Sequence, residues 1–508
     1  MKHKFAFLLT GAIALVFTLF FYRQSAGINL LLFELILIPL MIWQSGIKPT
    51  RGNGLVITAG VAVTAIFAFI HASDFVIIMN VIALFLWTGW LLLPAGRSLV
   101  SFAGLAFGNL LLAPGNAIGM LVSGNGNHQR TMHRVRQTVY FVIPLFLILF
   151  FLAVYRSSNP WFESITDNIF SFFDRWLNLI LNYIDVPLAG VLFVGFCIGI
   201  LFVFRYRKEV IPAWDEHSPE IMHRERQKKR MRSFSTLALK SEYRAGVFLL
   251  VVLNLLILVQ NLLDIWFVWF NFEWNGQYLM QFIHEGTWLL IFSILISICI
   301  ILWLYRGNQN FIPGNKFLRL LSYAWLIQNM VLAVSVAVRN GWYICYFALA
   351  YKRIGVALFL IMTLIGLFTV VIKVKERKTL FYLLRVNFLA AFILLAAASC
   401  VNWDPLIARY NFAGYQRSFV HLDWLCTLSD KALPMLDKSP AELDRIRQVQ
   451  DKNFSFEYRY MSPAEYAEKI RERRKEFFSR WESRGWLSFN LADWQAYRYF
   501  HTQDQKKQ

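Results

Sequence analysis

Ionisable side chains inside long apolar runs are the residues of this chain best placed for chemistry. An uncompensated charge at the centre of a bilayer costs about 2.5–3.5 kcal/mol, so it persists only with a partner or a task. Asn254, Asn261 and Asp264 lie seven and three residues apart in the run Ala245 to Trp269, near one helical face, with Gln260 beside them. Two roles fit: hydrogen-bonded glue between helices, and an ion or proton site. Glu34, within Ile28 to Trp43, either pairs with an arginine of a neighbouring helix or carries protons or cations. Gln328 and Asn329 fall within Phe317 to Val338, and Arg385 with Asn387 within Leu380 to Val401. His284 and Glu285 open the run Thr287 to Tyr305, where they cap a helix or face a polar cavity.

Other chemistries lack their residues. His71 and Asp74 share a turn without a third ligand, which is a turn pattern rather than a metal site. No GxSxG elbow, HExxH pair or GxxxxGK[ST] loop occurs, so no ordinary hydrolase or ATPase site is expected. Four of the five cysteines, Cys197, Cys299, Cys345 and Cys400, lie in or at the ends of apolar runs, without a CxxC pair or disulfide framework. Cys426 alone falls well outside them, a handle for locating the C-terminal region by thiol labelling. No metal and no cofactor are expected.

The elements that must hold these residues are membrane helices. Of 508 residues 57% are hydrophobic, 47 are Phe and only 16% are charged, which points to lipid as the solvent. Further span-length runs are Phe5 to Tyr22, Leu55 to Ile70, Phe75 to Leu93, Thr138 to Tyr155, Val186 to Phe204 and Ile354 to Ile372, giving about eleven spans in all. The stretch Leu99 to Val122, with Gly104, Gly108, Pro114, Gly115 and Gly119, is expected to span brokenly or to dip in and return. The opening residues resemble a signal peptide without a small-residue cleavage site and read as a retained first helix. Between Ser157 and Asp185, apolar residues at helical spacing predict an interfacial helix.

Charge sets the topology and excludes one partner class. The formal net charge is +20, but the basic residues sit in short loops beside spans, as the positive-inside rule requires, so nucleic acid is not expected. The loop from about 205 to 244, with eleven Lys and Arg including the run His223 to Arg232, should be cytoplasmic, as should Gly124 to Gln137 with Arg130, Arg134 and Arg136. Phe270 to Gly286, with Glu273 and Glu285 and no Lys or Arg, should be outside. Around the tenth span, Lys373, Lys375, Arg377 and Lys378 pull one end inward while Arg339, Lys352 and Arg353 pull the other. Five crossings after Arg244 place the C-terminus in the envelope; a dipping hairpin between Phe317 and Tyr351 would place it in the cytoplasm.

The chain thus divides into a transmembrane helical domain, 1–401, and a small soluble helical domain, 402–508, an all-α polytopic bundle with a C-terminal appendage. Ser439-Pro-Ala-Glu442 and Ser462-Pro-Ala-Glu465 each place a hydroxyl cap, a proline in the first turn and a glutamate at the third position. The second of these helices carries Tyr466, Ile470, Phe477 and Trp481 on one stripe, and a third starts at Asn490 with Trp494, Tyr497 and Phe500.

Several segments in fixed order carry a family resemblance: Lys240 to Ile265, HEGTW from His284, YKRIGV from Tyr351, IARYN from Ile407 and LDWLCTLS from Leu422. The chain resembles an uncharacterised family of bacterial polytopic membrane proteins known only as a domain of unknown function. The resemblance implies a many-helix fold in the bacterial cytoplasmic membrane and no established activity. It directs attention to Glu242, Asn254, Asn261, Asp264, His284, Glu285, Lys352, Arg353, Asn411 and Asp423. The expected role is a non-enzymatic sensing, scaffolding or regulatory component of the cell envelope, embedded in the lipid bilayer and meeting a protein partner or an envelope ligand at its C-terminal domain. A secondary transporter using intramembrane carboxylates is the alternative, and a membrane-embedded transferase the third.

Overall fold

The structure is a computed structural model, which describes residues 2–49, 52–122, 148, 186–205, 209–223, 236–272, 276–306, 308–312, 314–454 and 461–507. Within these, the side chains of 2, 3, 118–122, 186, 236–239, 276–287, 308 and 507 lie outside the description. The expected span Thr138 to Tyr155 apart from residue 148, the interfacial helix, the arginine loop 124–137, most of the basic run 223–232 and Glu273 fall outside the described residues. Among the described residues, regular structure is helical apart from one isolated bridge between Ile221 and Lys378. Nine described helices are long and apolar enough to cross a membrane, and two shorter apolar ones, Pro187–Val203 and Trp288–Leu304, accompany them. The protein is an all-α, multi-pass integral membrane protein.

The chain forms two compact units, residues 1–216 with 483–494, and residues 217–482 with 495–508. The first contains α1 (Lys2–Phe21), α2 (Ile28–Ser45), α3 (Gly52–His71), α4 (Asp74–Leu92), α5 (Leu99–Val122), α6 (Val186–Val203) and α7 (Val210–His217). Lipid offers no hydrophobic force between helices, so close packing of small residues holds them. In α6, Gly195 and Gly199 provide it. A Cβ at Gly195 would stand 2.9 Å from the Ala14 backbone, and one at Gly199 2.9 Å from the Thr10 carbonyl, so the α6 backbone lies directly on α1.

The expected break in Leu99 to Val122 does not occur: α5 runs continuously through Pro114. Within a membrane, neighbouring helices can satisfy the groups a proline frees. Buried Asp215 accepts the Arg97 backbone N–H at 2.7 Å and the Ser101 hydroxyl at 2.5 Å, tying α7 to the start of α5. In the segment 483–494, the Phe489 carbonyl accepts the Ile28 N–H at 2.9 Å, giving α2 a partner for one of its first-turn donors.

The second unit contains α8 (Thr236–Asp264), a π-helical turn (Ile265–Phe270), α9 (Gly276–Leu304), α10 (Lys316–Phe347), α11 (Tyr351–Glu376) and α12 (Leu380–Ser399). Helix α8 starts inside the expected basic loop, so Lys240, Glu242 and Arg244 occupy its first turns. Helix α10 is one continuous helix of 32 residues, ~48 Å at 1.5 Å per residue, so the chain does not turn back between Phe317 and Phe347, within the stretch Phe317 to Tyr351 where a dipping hairpin is the alternative.

After α12 come α13 (Trp403–Ala413), α14 (Leu422–Leu425), α15 (Leu433–Leu436), α16 (Pro440–Asn453), α17 (Pro463–Ser483) and α18 (Leu491–Lys507). Both expected capping boxes form. Ser439 Oγ accepts the Glu442 N–H at 3.3 Å while Glu442 accepts the Ser439 N–H at 2.9 Å; Ser462 and Glu465 do the same at 3.1 and 2.9 Å. Ile407, Leu425, Leu436, Leu443, Tyr466, Ile470, Phe477 and Phe500 form the core beneath them.

Candidate functional site

Asn254, Asn261 and Asp264 form one polar seam between α8 and α10. Asn254 Nδ2 donates to the Leu321 carbonyl at 3.1 Å and its Oδ1 accepts from Gln328 Nε2 at 2.7 Å. One heptad on, Asn261 Nδ2 donates to the Gln328 carbonyl at 3.0 Å. The advance by seven on both helices means that α8 and α10 run parallel, in a coiled-coil-like register whose contact positions are polar. At the end of the seam, Asp264 accepts Arg339 Nη2 at 2.5 Å, Ser335 Oγ at 2.7 Å and Gln260 Nε2 at 2.9 Å. Both ion-pair side chains are 4% exposed. The π-helical turn follows at once, and Trp269 Nε1 donates to Ser335 Oγ at 3.2 Å. Three donors on one carboxylate and a matched buried cation describe a helix clamp.

The other sequence candidates stand apart from this seam. Glu34 is 2% exposed in α2, and neither carboxylate oxygen has a hydrogen-bond partner among the described residues, so the arginine pairing, one of the two roles open to it from the sequence, is not found there. Arg385 pairs with Glu220 at 2.5 Å, and Asn387 Nδ2 donates to Thr369 Oγ1 at 2.9 Å, joining α12 to α11. The α9 backbone runs through His284 and Glu285, whose side chains lie outside the described residues. His71 Nδ1 accepts the Ser73 N–H at 3.3 Å, and Ser73 caps α4, so the His71–Asp74 segment is a turn. Among the described residues no group of three His, Cys, Asp or Glu could hold a metal.

A second feature joins several of the resemblance motifs. A cavity of about 660 Å³ opens between α9, α10 and α11, lined by Trp288, Ile291, Tyr343, Val356 and Phe359, with Asn340, Lys352 and Arg353 as its polar groups. Lys352, Gly355, Val356 and Phe359 are three, four and seven residues apart and so share one face of α11. No carboxylate lines the cavity among the described residues, and exposed Lys352 lies in the first turn of α11, where the helix dipole also favours an anion.

The turn behind this cavity is held in an unusual conformation. Ala348 has φ +65° and ψ −179°, a region that only glycine enters readily, so other contacts must impose it. Arg353 Nη1 donates to the Phe347 carbonyl at 2.5 Å and to the Ala348 carbonyl, while its guanidinium stacks 4.3 Å from the Tyr343 ring centre. From the other side, Asn411 Oδ1 accepts the Leu349 N–H at 2.7 Å and its Nδ2 donates to the Leu349 carbonyl at 3.0 Å. The Phe419 N–H reaches the Tyr346 carbonyl at 2.9 Å, and Tyr351 hydrogen-bonds Asp404. Leu349 and Ile354 pack on the C-terminal core. The cavity wall is thus bonded directly to the C-terminal helices.

Charge beyond the spans follows the same contacts. Burial lowers the His421 pKa below its ordinary value, the Asp423 carboxylate opposes the shift and the Arg353 cation adds to it. Burial pushes the Cys426 thiol up to about 11, with nearby Lys469 and Arg473 opposing. Cys426 is part of the C-terminal core, so it is not the ready labelling handle that its position in the sequence suggested.

Sequence reasoning treated Arg339 and Arg353 as topogenic charges and missed both roles. Arg339 is consumed by Asp264, and Arg353 by carbonyls and an aromatic ring. The signal available for Arg339 was its position eleven residues after Gln328, on the seam-facing side of α10. No curated protein and no solved structure matches the chain. The model of one family, described as a domain of unknown function (DUF4153), matches residues 58–439, reaching well into the first half that the motifs left uncovered. On that match the chain, a helical membrane protein with a polar α8–α10 seam and a basic, apolar-walled cavity, belongs to this family of unknown function.

Proposed function

We propose that this protein is a non-enzymatic sensor or regulator of the bacterial cytoplasmic membrane whose ligand is an anionic amphiphile held in the α9–α10–α11 cavity. One observation carries the reading: an apolar cavity of about 660 Å³ with Lys352 and Arg353 at its polar end and no lining carboxylate among the described residues. Trp288, Ile291, Val356 and Phe359 suit an acyl chain; Lys352 and the start of α11 suit a phosphate or carboxylate head. The clamp through Arg353 and Asn411 gives a bound ligand a route to the C-terminal helices. A ligand shifts such an equilibrium only by binding one arrangement of the turn better than another, and the strained Ala348 turn is the element to be biased. In this reading the C-terminal domain lies on the envelope side and meets a protein partner there.

Native mass spectrometry of protein purified in mild detergent tests the reading. Anionic lipids should be retained over zwitterionic ones, and Lys352→Glu should reduce retention about tenfold, the effect of ~1.4 kcal/mol. Equal retention of both lipid classes, or unchanged retention in Lys352→Glu, rules the reading out. A secondary transporter is the second reading, favoured by the buried carboxyl of Glu34, which has no hydrogen-bond partner among the described residues.

A further inference from the structure

We propose that Glu34, with Asn80, forms a proton-binding site inside the membrane, at the meeting of α2, α3 and α4. Leu30, Ala65, Ala68 and Val76 pack these three helices together. Glu34 and Asn80 each lie six residues beyond the first residue of their helices, about 9 Å along the axis, within the membrane-spanning part.

Among the described residues, the polar atoms gathered there accept hydrogen bonds and lack donors. Both Glu34 oxygens and Asn80 Oδ1 are buried without a partner among the described residues. Asn80 is the polar neighbour of the carboxyl, but its Nδ2 is engaged by Thr64 Oγ1 at 3.1 Å and the Val61 carbonyl at 3.5 Å. The Thr64 hydroxyl in turn donates to the Gly60 carbonyl at 2.8 Å. Pro39 has no N–H for the Leu35 carbonyl, which removes one more donor beside Glu34.

Ionisable groups on the packed elements sit at their ends. Helix α1 carries Lys2, His3 and Lys4 at its start, α3 ends at His71, α4 opens with Asp74, and the segment Trp486–Ser488 that meets α2 has none. Three acceptors with no donor or cation to match them among the described residues are one proton short. A proton taken from water onto a Glu34 oxygen turns the carboxylate into a neutral acid, whose O–H can donate to Asn80 Oδ1. Its release returns the same proton to water and leaves the charge uncompensated in lipid, so protonation decides whether the α2–α3–α4 packing is favourable. The site belongs to the first unit and is independent of the amphiphile reading.

Infrared difference spectroscopy of the full-length protein in lipid bilayers at neutral pH provides the test, comparing wild type with Glu34→Gln and Asn80→Leu. The expected result is a carboxylic-acid C=O band, sensitive to deuterium exchange, that Glu34→Gln lacks and that Asn80→Leu moves to higher frequency. Glu34→Gln mimics the neutral acid and should fold, so its failure to fold would count against the proposal. Loss of only carboxylate bands in Glu34→Gln, or an acid band that sodium abolishes, would overturn it in favour of an ionised or metal-binding carboxylate. A band unmoved in Asn80→Leu would overturn the pairing.

Discussion

Replacing Arg339 by leucine should destabilise the protein far more than the loss of one hydrogen bond would, because it leaves Asp264 buried and unpaired. The two side chains are 4% exposed and 2.5 Å apart, and breaking one half of such a pair costs about 3–5 kcal/mol. Ser335 and Gln260 still donate to the carboxylate, and hydrogen bonds to a charged group are worth about 1.5–3 kcal/mol each, so the loss should fall near the lower bound, about 3 kcal/mol. Replacing both residues, in Asp264→Leu with Arg339→Leu, removes the stranded charge. A buried pair exchanged for apolar residues is often neutral, so the double variant should lie within roughly 1–2 kcal/mol of wild type, the residue being the lost Ser335 and Gln260 contacts. The single variants then couple by several kcal/mol in a double-mutant cycle. Equilibrium unfolding in mixed micelles of rising denaturing-detergent content measures all four proteins. An Arg339→Leu protein within ~1 kcal/mol of wild type would refute the clamp, since that is the scale of an exposed pair. A double variant as unstable as the sum of the singles would refute the direct pairing.

Other expectations concern packing and titration. Gly199→Leu should push α6 off α1, because its Cβ already meets the Thr10 carbonyl at 2.9 Å, and should lower stability by about 1–3 kcal/mol, read by the same unfolding assay. His421 has a depressed pKa in the fold, so the unfolded chain binds its proton first: its contribution is complete above 6.5 and is lost as pH falls below it. Thermal unfolding of wild type should therefore show a destabilisation on acidification that His421→Phe reduces. Cys426, buried and with its thiol pushed up to about 11, should resist an impermeant maleimide even in lysed cells and react only after denaturation. Locating the C-terminal domain therefore calls for a cysteine introduced at an exposed position such as Gln448, with labelling of intact spheroplasts compared with lysed ones.

Hydropathy and spacing made the all-α membrane architecture legible, because helix is the form that satisfies backbone groups within one apolar segment of span length. The capping boxes at Ser439 and Ser462 were legible for a related reason: a cap is a local bond between residues three apart. The heptad of Asn254 and Asn261 showed a polar face on α8, though not its partner. Resemblance motifs such as YKRIGV and IARYN marked the α10–α11 turn without saying what they do there.

What the sequence by itself determined, then, is whatever depends on residues within a few turns of one another: which runs are helices, where they start, which face is polar, and that lipid is their solvent. Only the tertiary structure decided which polar faces meet. Asp264 and Arg339 are 75 residues apart, and Asn411 closes on Leu349 across 62. The packing of separate helices made the first pair a clamp, the second a bridge to the C-terminal core, and left Glu34 without a hydrogen-bond donor among the described residues. A buried carboxylate in a membrane sequence reads the same whether it is neutralised by an arginine or holds a proton, because the difference lies in what another helix brings to within hydrogen-bonding distance.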